Sequence, residues 1–338
     1  MAKPDCVLVI GGSGFIGRVL VAQLLERGCE VHVMSRQKRC GGGVTWHQGD
    51  VTDRQSVIDA SDGVDVVYDL SMAFGESWND YVKSFVQGAE NVAEVVLERG
   101  IRRLIYTSTI AGLHLARAGS ITEEEGSDPK PELRSWYARA KIMAEQSLNR
   151  LHRHRGLPVV IFRPGMVVGV GSKLSSPAIG VWLSPTCCSV VGGGRTPLPM
   201  VLVEDVAQAL ILAKDTPGVD GRTFNLAGDV RLSAVEYCEI AAERSKRNFC
   251  VAPSSPLAIQ AFYTLVYLGK LLLGRKDNVW PSWHELRNAP QRTWLNCSAA
   301  KEVLGWRPVA ERDEFVRRAI DCHLRPLHAG DLRLSSEA

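Results

Sequence analysis

The stretch CVLVIGGSGFIG, residues 6–17, joins a five-residue apolar run directly to three glycines spaced three apart. An apolar run of this length indicates a buried strand, and the apolar residues after the glycines follow helical spacing: Val19, Leu20, Leu24 and Leu25. A glycine loop between a strand and a helix suits a pyrophosphate, because its backbone can approach the phosphates and the helix N-terminus offers free N–H groups. The sequence therefore predicts a dinucleotide-binding fold at its N-terminal end.

The composition is that of a globular protein and excludes several classes of partner. The 338 residues allow either two domains or one large domain with an elaborated lobe. The 40 basic and 37 acidic side chains are interspersed and leave a net charge of +3, so a nucleic acid or a strongly acidic partner has no electrostatic support. We expect a small-molecule ligand instead.

The nine cysteines are odd in number and scattered along the chain. They contain no Cys-x-x-Cys pair, so the pattern predicts neither a disulfide framework nor a metal site. Residues 1–5 are too short and too polar for a secretory signal peptide. We therefore expect reduced thiols and a cytoplasmic location.

Apolar runs alternate with helical patterns through the first half of the chain. The later strands are expected at Glu30–Met34, Val64–Leu70, Leu104–Thr107 and Val159–Phe162. The helices are expected around 15–27, 54–60, 78–99 and 135–155, the last with Ser135 as its N-cap. Such alternation predicts an α/β fold with a Rossmann-type, doubly wound parallel sheet.

The pattern breaks into Gly, Ser and Pro after Arg163-Pro164, and it returns only in part at Val201–Val203 and Phe224–Leu226. We interpret residues 1–164 as the dinucleotide-binding domain, with its sheet completed by later segments near 200–227. Residues 165–338 then form a smaller, mixed substrate-binding lobe with the C-terminal helices.

Residues 257–274 are apolar except for Gln260, Thr264 and Lys270. The favoured interpretation is a buried or lid helix that covers an apolar substrate. Contact with a membrane surface is the alternative, because tyrosines and a lysine could lie at the interface. Trp280, Trp283 and Trp294 also favour an apolar substrate, although all three could equally be core residues.

Tyr137 and Lys141 lie four residues apart on a predicted helix, so their side chains share one face. A nearby ammonium favours the phenolate and lowers the pKa of the tyrosine, which suits a general acid/base. A tyrosine stacked on a lysine stem is the structural alternative. The preceding strand favours chemistry, because it ends in Thr107, Ser108 and Thr109 at the edge where ligands bind.

Further motifs follow in a fixed order along the chain. They are Gly49-Asp50-Val51, Val86-Gln-Gly88 with Asn91, Tyr106-Thr-Ser-Thr109, Arg163-Pro164, Ser298-Ala-Ala-Lys301 and Leu304-Gly-Trp306-Arg-Pro308. With the glycine run, Tyr137 and Lys141, they resemble the extended short-chain dehydrogenase/reductases, the family of NAD-dependent epimerase/dehydratases and hydroxysteroid-dehydrogenase-like enzymes. The resemblance covers most of the chain.

The resemblance implies a role for each matched catalytic position. Thr109 would polarise the carbonyl of the substrate, with Ser108 as the alternative if the register is shifted by one. Tyr137 would move the alcohol proton, and Lys141 would hold the nicotinamide ribose while lowering the pKa of Tyr137.

The resemblance also implies the contacts of the cofactor. Asp50 and Val51 correspond to positions that contact adenine, although an ordinary turn at a strand end is the alternative. The other expected contacts are Gly11, Ser13, Gly14, Phe15, Ile16, Gly17, Lys141 and Arg163.

The end of the second strand predicts which dinucleotide binds. An acidic residue there would bind both ribose hydroxyls and repel a 2′-phosphate, but this chain has Ser35-Arg36. Arg36, with Lys38 and Arg39 nearby, favours NADP, because these cations can form charge-assisted bonds to phosphate. NAD is the second choice, since the three cations could belong to a solvated loop.

Departures from the family pattern refine the expected reaction. Ile110-Ala111 follows Thr109 where dehydratases carry an Asp-Glu pair, so dehydration is disfavoured. Gly165–Val168 and Asp69 replace an Asn and a His that are usual in nucleotide-sugar enzymes. Arg195 could still clamp a diphosphate, or it could be a surface side chain.

The leading hypothesis is an oxidoreductase that moves hydride between nicotinamide and a secondary alcohol or ketone of a steroid- or terpenoid-like substrate. A nucleotide-sugar 4-epimerase with tightly bound NAD is the first alternative. A non-catalytic dinucleotide-binding scaffold is the second. The resemblance further implies a homodimer through the helices around 78–99 and 135–155.

Overall fold

The computed structural model describes residues 4–72, 75–115, 119–176, 179–191, 193–273, 283–284 and 293–324. The strands within these ranges are β1 Cys6–Ile10, β2 Glu30–Ser35, β3 Thr45–Gln48, β4 Val66–Asp69, β5 Arg103–Thr107, β6 Gly119–Ile121, β7 Val159–Pro164, β8 Met166–Val168, β9 Val181–Ser184, β10 Cys187–Val191, β11 Met200–Leu202, β12 Thr223–Leu226, β13 Cys250–Ser254 and β14 Thr293–Leu295. The helices are α1 Phe15–Glu26, α2 Arg54–Ala60, α3 Trp78–Tyr81, α4 Gly88–Arg99, α5 Trp136–Arg155, α6 Val203–Asp215, α7 Ala234–Ser245, α8 Pro256–Leu272, α9 Ser298–Val303 and α10 Arg312–Ala319.

Seven parallel strands form the central sheet in the order β12-β7-β5-β4-β1-β2-β3. The chain winds outward from β1 in both directions, so the sheet switches direction between β1 and β4. This arrangement confirms the predicted doubly wound Rossmann-type fold. A ligand crevice is expected at this switch point, beyond the carboxyl ends of the strands.

Strand β1 separates the two main hydrophobic layers. Successive side chains of a strand point to opposite faces. Val7 and Val9 pack in the layer that holds α1 and α6. Cys6, Leu8 and Ile10 pack in the layer that holds α2, α4 and α5. Burial on both faces explains why β1 is an unbroken apolar run.

The predicted helix over 78–99 is interrupted in the structure. Helix α3 ends at Tyr81, a π-helical turn covers Val82–Gln87, and α4 begins at Gly88. A Cβ atom on Gly88 would lie 2.6 Å from a methyl carbon of Val51, so this position requires glycine for close packing. The wider turn leaves the side chain of Phe85 buried beside the cleft described below.

The second half of the chain contributes both to the central sheet and to a separate cluster. Strand β12 pairs with β7, and α6 packs in the same layer as α1. Strands β9, β10 and β13 form a smaller sheet, and β8 pairs with β11. The expected division into 1–164 and 165–338 stays a prediction, and Gly192 lies outside the described residues.

Helix α8 covers most of the apolar segment 257–274, whose last residue lies outside the described residues. Ile259 is buried in this helix, whereas Leu257, Leu265 and Leu272 are 72%, 69% and 88% exposed. The structure therefore does not bury this helix, whereas its role as a lid over an apolar substrate stays a prediction. Among the helices of the described ranges, none has the length and apolarity needed to cross a bilayer.

The tryptophans give a similar result for the expected apolar substrate. Trp283 and Trp294 are exposed, and the guanidinium carbon of Arg231 lies 3.6 Å from the ring centroid of Trp294. Trp280 lies outside the described residues. Trp283 and Trp294 thus give no apolar lining to the cleft described below.

Candidate active site

The glycine loop after β1 has the geometry that a phosphate cradle requires. Gly11 has a φ of +77°, and a Cβ atom there would lie 2.8 Å from the carbonyl oxygen of Leu70. Gly14 is the N-cap of α1. A Cβ atom on Gly17 would overlap the carbonyl oxygen of Gly11. Glycine at these positions lets α1 begin close against β1, with its free N–H groups at the loop.

A first cleft of about 210 Å³ lies between the glycine loop and the ends of β2 and β3. Met34, Gly49 and Ser84 line part of it. Seven of the expected cofactor contacts also line it: Gly11, Ser13, Gly14, Ser35, Arg36, Asp50 and Val51. The Asp50 carboxylate accepts a hydrogen bond of 2.9 Å from the amide of Thr52. The carbonyl of Val51 accepts one of 2.8 Å from the amide side chain of Asn91. The turn that faces this cleft is therefore fixed from α2 and α4.

A second cleft of about 320 Å³ begins on the other side of the same loop. The two clefts share Gly11, Gly14, Leu70, Ser71 and Met72, so they form one continuous groove across the switch point of the sheet. Apart from Arg163, the remaining expected residues line the second cleft: Phe15, Ile16, Gly17, Ser108, Thr109, Tyr137 and Lys141. The fold thus brings together residues that are more than 100 positions apart in the chain.

Thr109 and Tyr137 line the second cleft together, and the Thr109 hydroxyl is close enough to the phenol to lower its pKa. The Oγ1 atom of Thr109 also accepts a hydrogen bond of 3.1 Å from the amide of Ala111, which caps the short 3₁₀ helix Ile110–Gly112. On the other side, the ring of Tyr137 packs edge-on against Phe85, with a centroid separation of 5.7 Å. The phenol is therefore held between the end of β5 and the π-helical turn.

Burial raises the pKa of Tyr137 above its ordinary value, and the hydrogen bond with Thr109 lowers it in part. The expectation that Lys141 lowers this pKa is not met, because loss of solvent around the phenol outweighs the favourable interactions. Tyr137 is therefore a protonated phenol at neutral pH, ready to donate its proton.

Lys141 is almost fully buried, and its ammonium is anchored to β5. The Nζ atom donates hydrogen bonds to the carbonyl oxygen of Thr107 at 2.8 Å and to the phenol oxygen of Tyr106 at 3.2 Å. Burial lowers the pKa of Lys141 to about 8, and the carboxylates of Asp69 and Glu145 oppose that shift. Asp69, which departs from the family pattern, thus helps keep Lys141 charged.

Thr107 is a site residue that the sequence analysis did not single out. The side-chain hydroxyls of Thr107 and Ser108 are both buried, and neither has a hydrogen-bond partner among the described residues. Both residues line the second cleft. Buried polar groups are normally paired, so two unpaired hydroxyls facing a cleft fit a polar ligand. Their position at the strand end was the available signal.

Arg163 does not join the other expected residues in the groove. Its guanidinium donates to the carboxylate of Glu145, with the closest pair of atoms 2.6 Å apart, and both side chains are buried. This ion pair joins β7 to α5. The expected contact of Arg163 with the cofactor stays a prediction, while the structure gives the residue a partner within the fold.

The two halves of the groove fit a nicotinamide dinucleotide. The glycine cradle would receive the pyrophosphate, because added side chains would fill it. Arg36 and Ser35 would lie on the adenosine side, and the unpaired hydroxyls of Thr107 and Ser108 on the nicotinamide side. Lys141 and Tyr137 line the same cleft as these hydroxyls.

Comparisons with known proteins agree with this geometry. The model of the NAD dependent epimerase/dehydratase family matches residues 7–227. The chain is 27% identical over 337 residues to 2-alkyl-3-oxoalkanoate reductase of Stenotrophomonas maltophilia (strain K279a), covering 92% of this chain and 97% of that protein. It is also 27% identical over 346 residues to sterol-4-alpha-carboxylate 3-dehydrogenase, decarboxylating, of Mus musculus, covering 96% and 93%.

A solved structure extends the likeness at the level of the fold. The UDP-glucose 4-epimerase of Thermotoga maritima, solved with UDP-glucose, matches with a TM-score of 0.70 at 18% identity, covering 94% of this chain and 98% of that one. The matched family model spans most of the chain and includes the whole groove. The resemblance inferred from the motifs is thereby confirmed, and the chain belongs to the NAD-dependent epimerase/dehydratase family.

Proposed function

We propose that this NAD(P)-dependent enzyme uses NADP and transfers hydride between nicotinamide and a secondary alcohol or ketone of a largely apolar substrate. The observation that carries the proposal is that Thr109, Tyr137 and Lys141 line one cleft, at the end of the glycine loop. Relatives named as reductases and dehydrogenases over nearly the whole chain support oxidoreductase chemistry.

The side chains can divide the work of a reduction between them. A bound nicotinamide supplies the hydride. Tyr137 donates its phenolic proton to the carbonyl oxygen, since its raised pKa keeps the phenol protonated at neutral pH until the substrate accepts the proton. The Thr109 hydroxyl donates a hydrogen bond to the same oxygen and stabilises the charge that develops there. Lys141 holds a positive charge beside the phenolate that remains, and in the oxidation direction Tyr137 takes the proton back.

The printed names of two relatives suggest what kind of substrate to test first. One relative is a reductase of 2-alkyl-3-oxoalkanoates, and the other is a 3-dehydrogenase of sterol 4α-carboxylates. In both names the reacting carbon is position 3, and its neighbour carries the carboxyl group of a largely apolar molecule. We propose the same substrate class for this chain, of which steroid-like molecules are one part.

The preference for NADP is proposed from the wall of the first cleft. Arg36 lines this cleft and is exposed, so its guanidinium is available to a 2′-phosphate. Arg39 lies 6.0 Å from the ring centroid of Trp46 and donates to Gln37, which supports the same loop. An arginine pairs with phosphate through two parallel hydrogen bonds.

The test is a fluorescence titration of the purified protein with NADPH and NADH, after any cofactor that co-purifies has been identified. Binding of NADPH that is tighter by about tenfold, or 1.4 kcal/mol, would support the proposal. Screens with 2-alkyl-3-oxo acids and 3-ketosteroids would then follow. Tightly retained NAD(H), with turnover of a nucleotide sugar, would replace the proposal with the 4-epimerase alternative, for which Arg195 is exposed in the structure.

The expected homodimer and the cytoplasmic location stay predictions. Two exposed ion pairs lie at the helices that would form the dimer. Glu98 of α4 pairs with Arg54 of α2, and Glu94 of α4 pairs with Arg155 of α5. Light scattering of the purified protein would establish the oligomeric state directly.

A further inference from the structure

We propose that Arg134 is a positioning residue that holds the Thr109 hydroxyl against Tyr137. Arg134 lies outside the groove, and it would act through the backbone that follows Thr109. The inference rests on the proposed function for its meaning in catalysis, but its geometry can be tested separately.

The guanidinium of Arg134 is hydrogen-bonded to the segment that follows Thr109. Its Nη2 atom donates to the carbonyl oxygen of Ala111 at 2.7 Å. Its Nη1 atom donates to the carbonyl oxygen of Leu113 at 2.9 Å and to the Asp128 carboxylate at 2.8 Å. The Arg134 side chain is 3% exposed and that of Asp128 is fully buried, so water competes little for these contacts.

The segment that Arg134 binds, residues 111–113, sets the direction of the Thr109 hydroxyl. The amide of Ala111 donates to Oγ1 of Thr109, so the backbone of Ala111 is bonded on one side to Thr109 and on the other to Arg134. A shift of the 3₁₀ turn would therefore move the hydroxyl that binds the phenol. Arg134 constrains that turn with two hydrogen bonds.

Arg134 is also joined directly to the helix that carries Tyr137. It precedes Ser135, whose side chain accepts a hydrogen bond from the amide of Ala138 and caps α5. Tyr137 lies in the first turn of that helix. One residue thus connects the two backbone segments that bring Thr109 and Tyr137 to the same cleft.

Asp128 keeps the guanidinium in place. Its backbone amide donates to the carbonyl of Gly112 at 2.9 Å, and its carboxylate accepts from the amide of Lys130. The imidazoles of His114 and His284 also face this carboxylate, at 3.5 Å and 3.0 Å. Hydrogen bonds and the nearby guanidinium hold the pKa of Asp128 to about 2, so the carboxylate stays charged beside Arg134.

Arg103 offers a matched control at the opposite end of β5. Its guanidinium binds the carboxylate of Asp220 at 2.7 Å and the carbonyl oxygens of Ala213 and Thr216 at 2.6 Å and 2.8 Å, and its side chain is 8% exposed. Each arginine therefore neutralises one aspartate and binds two or more carbonyls. Loss of Arg134 leaves the buried carboxylate of Asp128 without this partner, and loss of Arg103 removes the donor to buried backbone carbonyls, so either change should lower the melting temperature. Only Arg134 adjoins the site.

The experiment compares Arg134→Gln, Arg134→Lys and Arg103→Gln at a temperature where all three are folded. We expect kcat to fall about tenfold to a hundredfold in Arg134→Gln, since a small misplacement of a catalytic group has that effect. The Kd for NADPH should change less than about twofold. Arg134→Lys should recover part of the activity, and Arg103→Gln should lower the melting temperature while leaving kcat unchanged.

A double-mutant cycle with Thr109→Ala tests whether Arg134 acts through Thr109. If it does, kcat of Thr109→Ala should fall little further when Arg134→Gln is added, because effects that share one group are not additive. Multiplied losses, or an equal loss of kcat in Arg103→Gln, would overturn the inference.

Hydrogen exchange gives a readout that needs no substrate. Amides of residues 109–113 should exchange faster in Arg134→Gln than in the parent protein or in Arg103→Gln. Unchanged exchange in these residues would show that Arg134 does not hold this segment, whatever reaction the protein catalyses. Faster exchange, together with full activity of Tyr137→Phe, would instead support the role of Arg134 in holding the segment and reject the proposed function. If Arg134→Gln fails to fold, the same two measurements are made on Arg134→Lys.

Discussion

The Nζ atom of Lys141 lies 2.8 Å from the carbonyl oxygen of Thr107, at the end of β5. Among the described hydrogen bonds of this buried cation, this is the only one to the backbone. The ammonium is thereby fixed to the strand that ends in the three hydroxyl residues. Its position does not depend on the phenol of Tyr137, with which it shares the cleft wall.

The pH dependence of activity should reflect this buried lysine. Lys141 has a pKa of about 8, so it is charged below that pH and neutral above it. Because the proposed role needs the charged form, kcat/KM for ketone reduction should fall as the pH rises through about 8. Lys141→Arg, which stays protonated, should lack this descending limb. The same limb in both proteins would show that another group titrates.

Stability should change in the opposite direction over the same range. The pKa of Lys141 is lowered on folding, so the unfolded chain binds more protons between about pH 8 and 10. The contribution of this group to the free energy of unfolding should therefore increase with pH in that interval. Urea denaturation of the parent protein and of Lys141→Met at about pH 7 and 9 would measure it. The variant should lack this component of the pH dependence.

Replacing Tyr137 with phenylalanine removes the proton donor and keeps the ring against Phe85. We expect turnover to fall by about 10²–10⁴, with NADPH binding preserved. Tyr237→Phe is the matched control, since that buried phenol donates to the carbonyl of Leu174 outside the groove. Normal turnover in Tyr137→Phe would contradict the assigned role.

The choice between the two dinucleotides should depend on Arg36. Arg36→Gln should weaken NADPH binding by about tenfold, or 1.4 kcal/mol, and leave NADH binding nearly unchanged, because only NADPH carries the 2′-phosphate. Arg27→Gln, an exposed arginine just after the end of α1, serves as the control for net charge. Equal weakening of both cofactors would place Arg36 elsewhere than at the phosphate.

Two helical glycines should respond in opposite ways to alanine. In Gly17→Ala the new Cβ atom meets the backbone of Gly11 and Gly12, so cofactor affinity and melting temperature should both fall. Gly269, within α8, has open space where a Cβ atom would lie, and alanine there should stabilise the helix by about 1 kcal/mol. Titration and thermal denaturation of both variants test the pair.

The sequence was sufficient for the elements that have strong local signals. The glycine spacing after an apolar run predicts the loop, and the four-residue spacing predicts that Tyr137 and Lys141 share one face of a helix. The family motif predicts a role for Thr109, which lines the same cleft as these two residues. These features depend on short segments whose geometry is set by local backbone preferences.

Other features depend on contacts between distant segments, which one sequence does not reveal. The π-helical turn beside Phe85 has no proline or other breaker to mark it. The raised pKa of Tyr137 comes from burial by several elements. The ion pair of Arg163 with Glu145 depends on the packing of β7 against α5. In each case tertiary packing decides the outcome.

The position of β12 has a consequence for how the protein is made. Until β12 is synthesised, β7 is the outermost strand of the growing sheet, and its residues 159–164 are all buried in the finished fold. Unpaired, apolar strand edges recruit other chains. A nascent chain of about 200 residues therefore exposes the aggregation-prone edge of β7. Chaperone binding during synthesis should be concentrated at that stage.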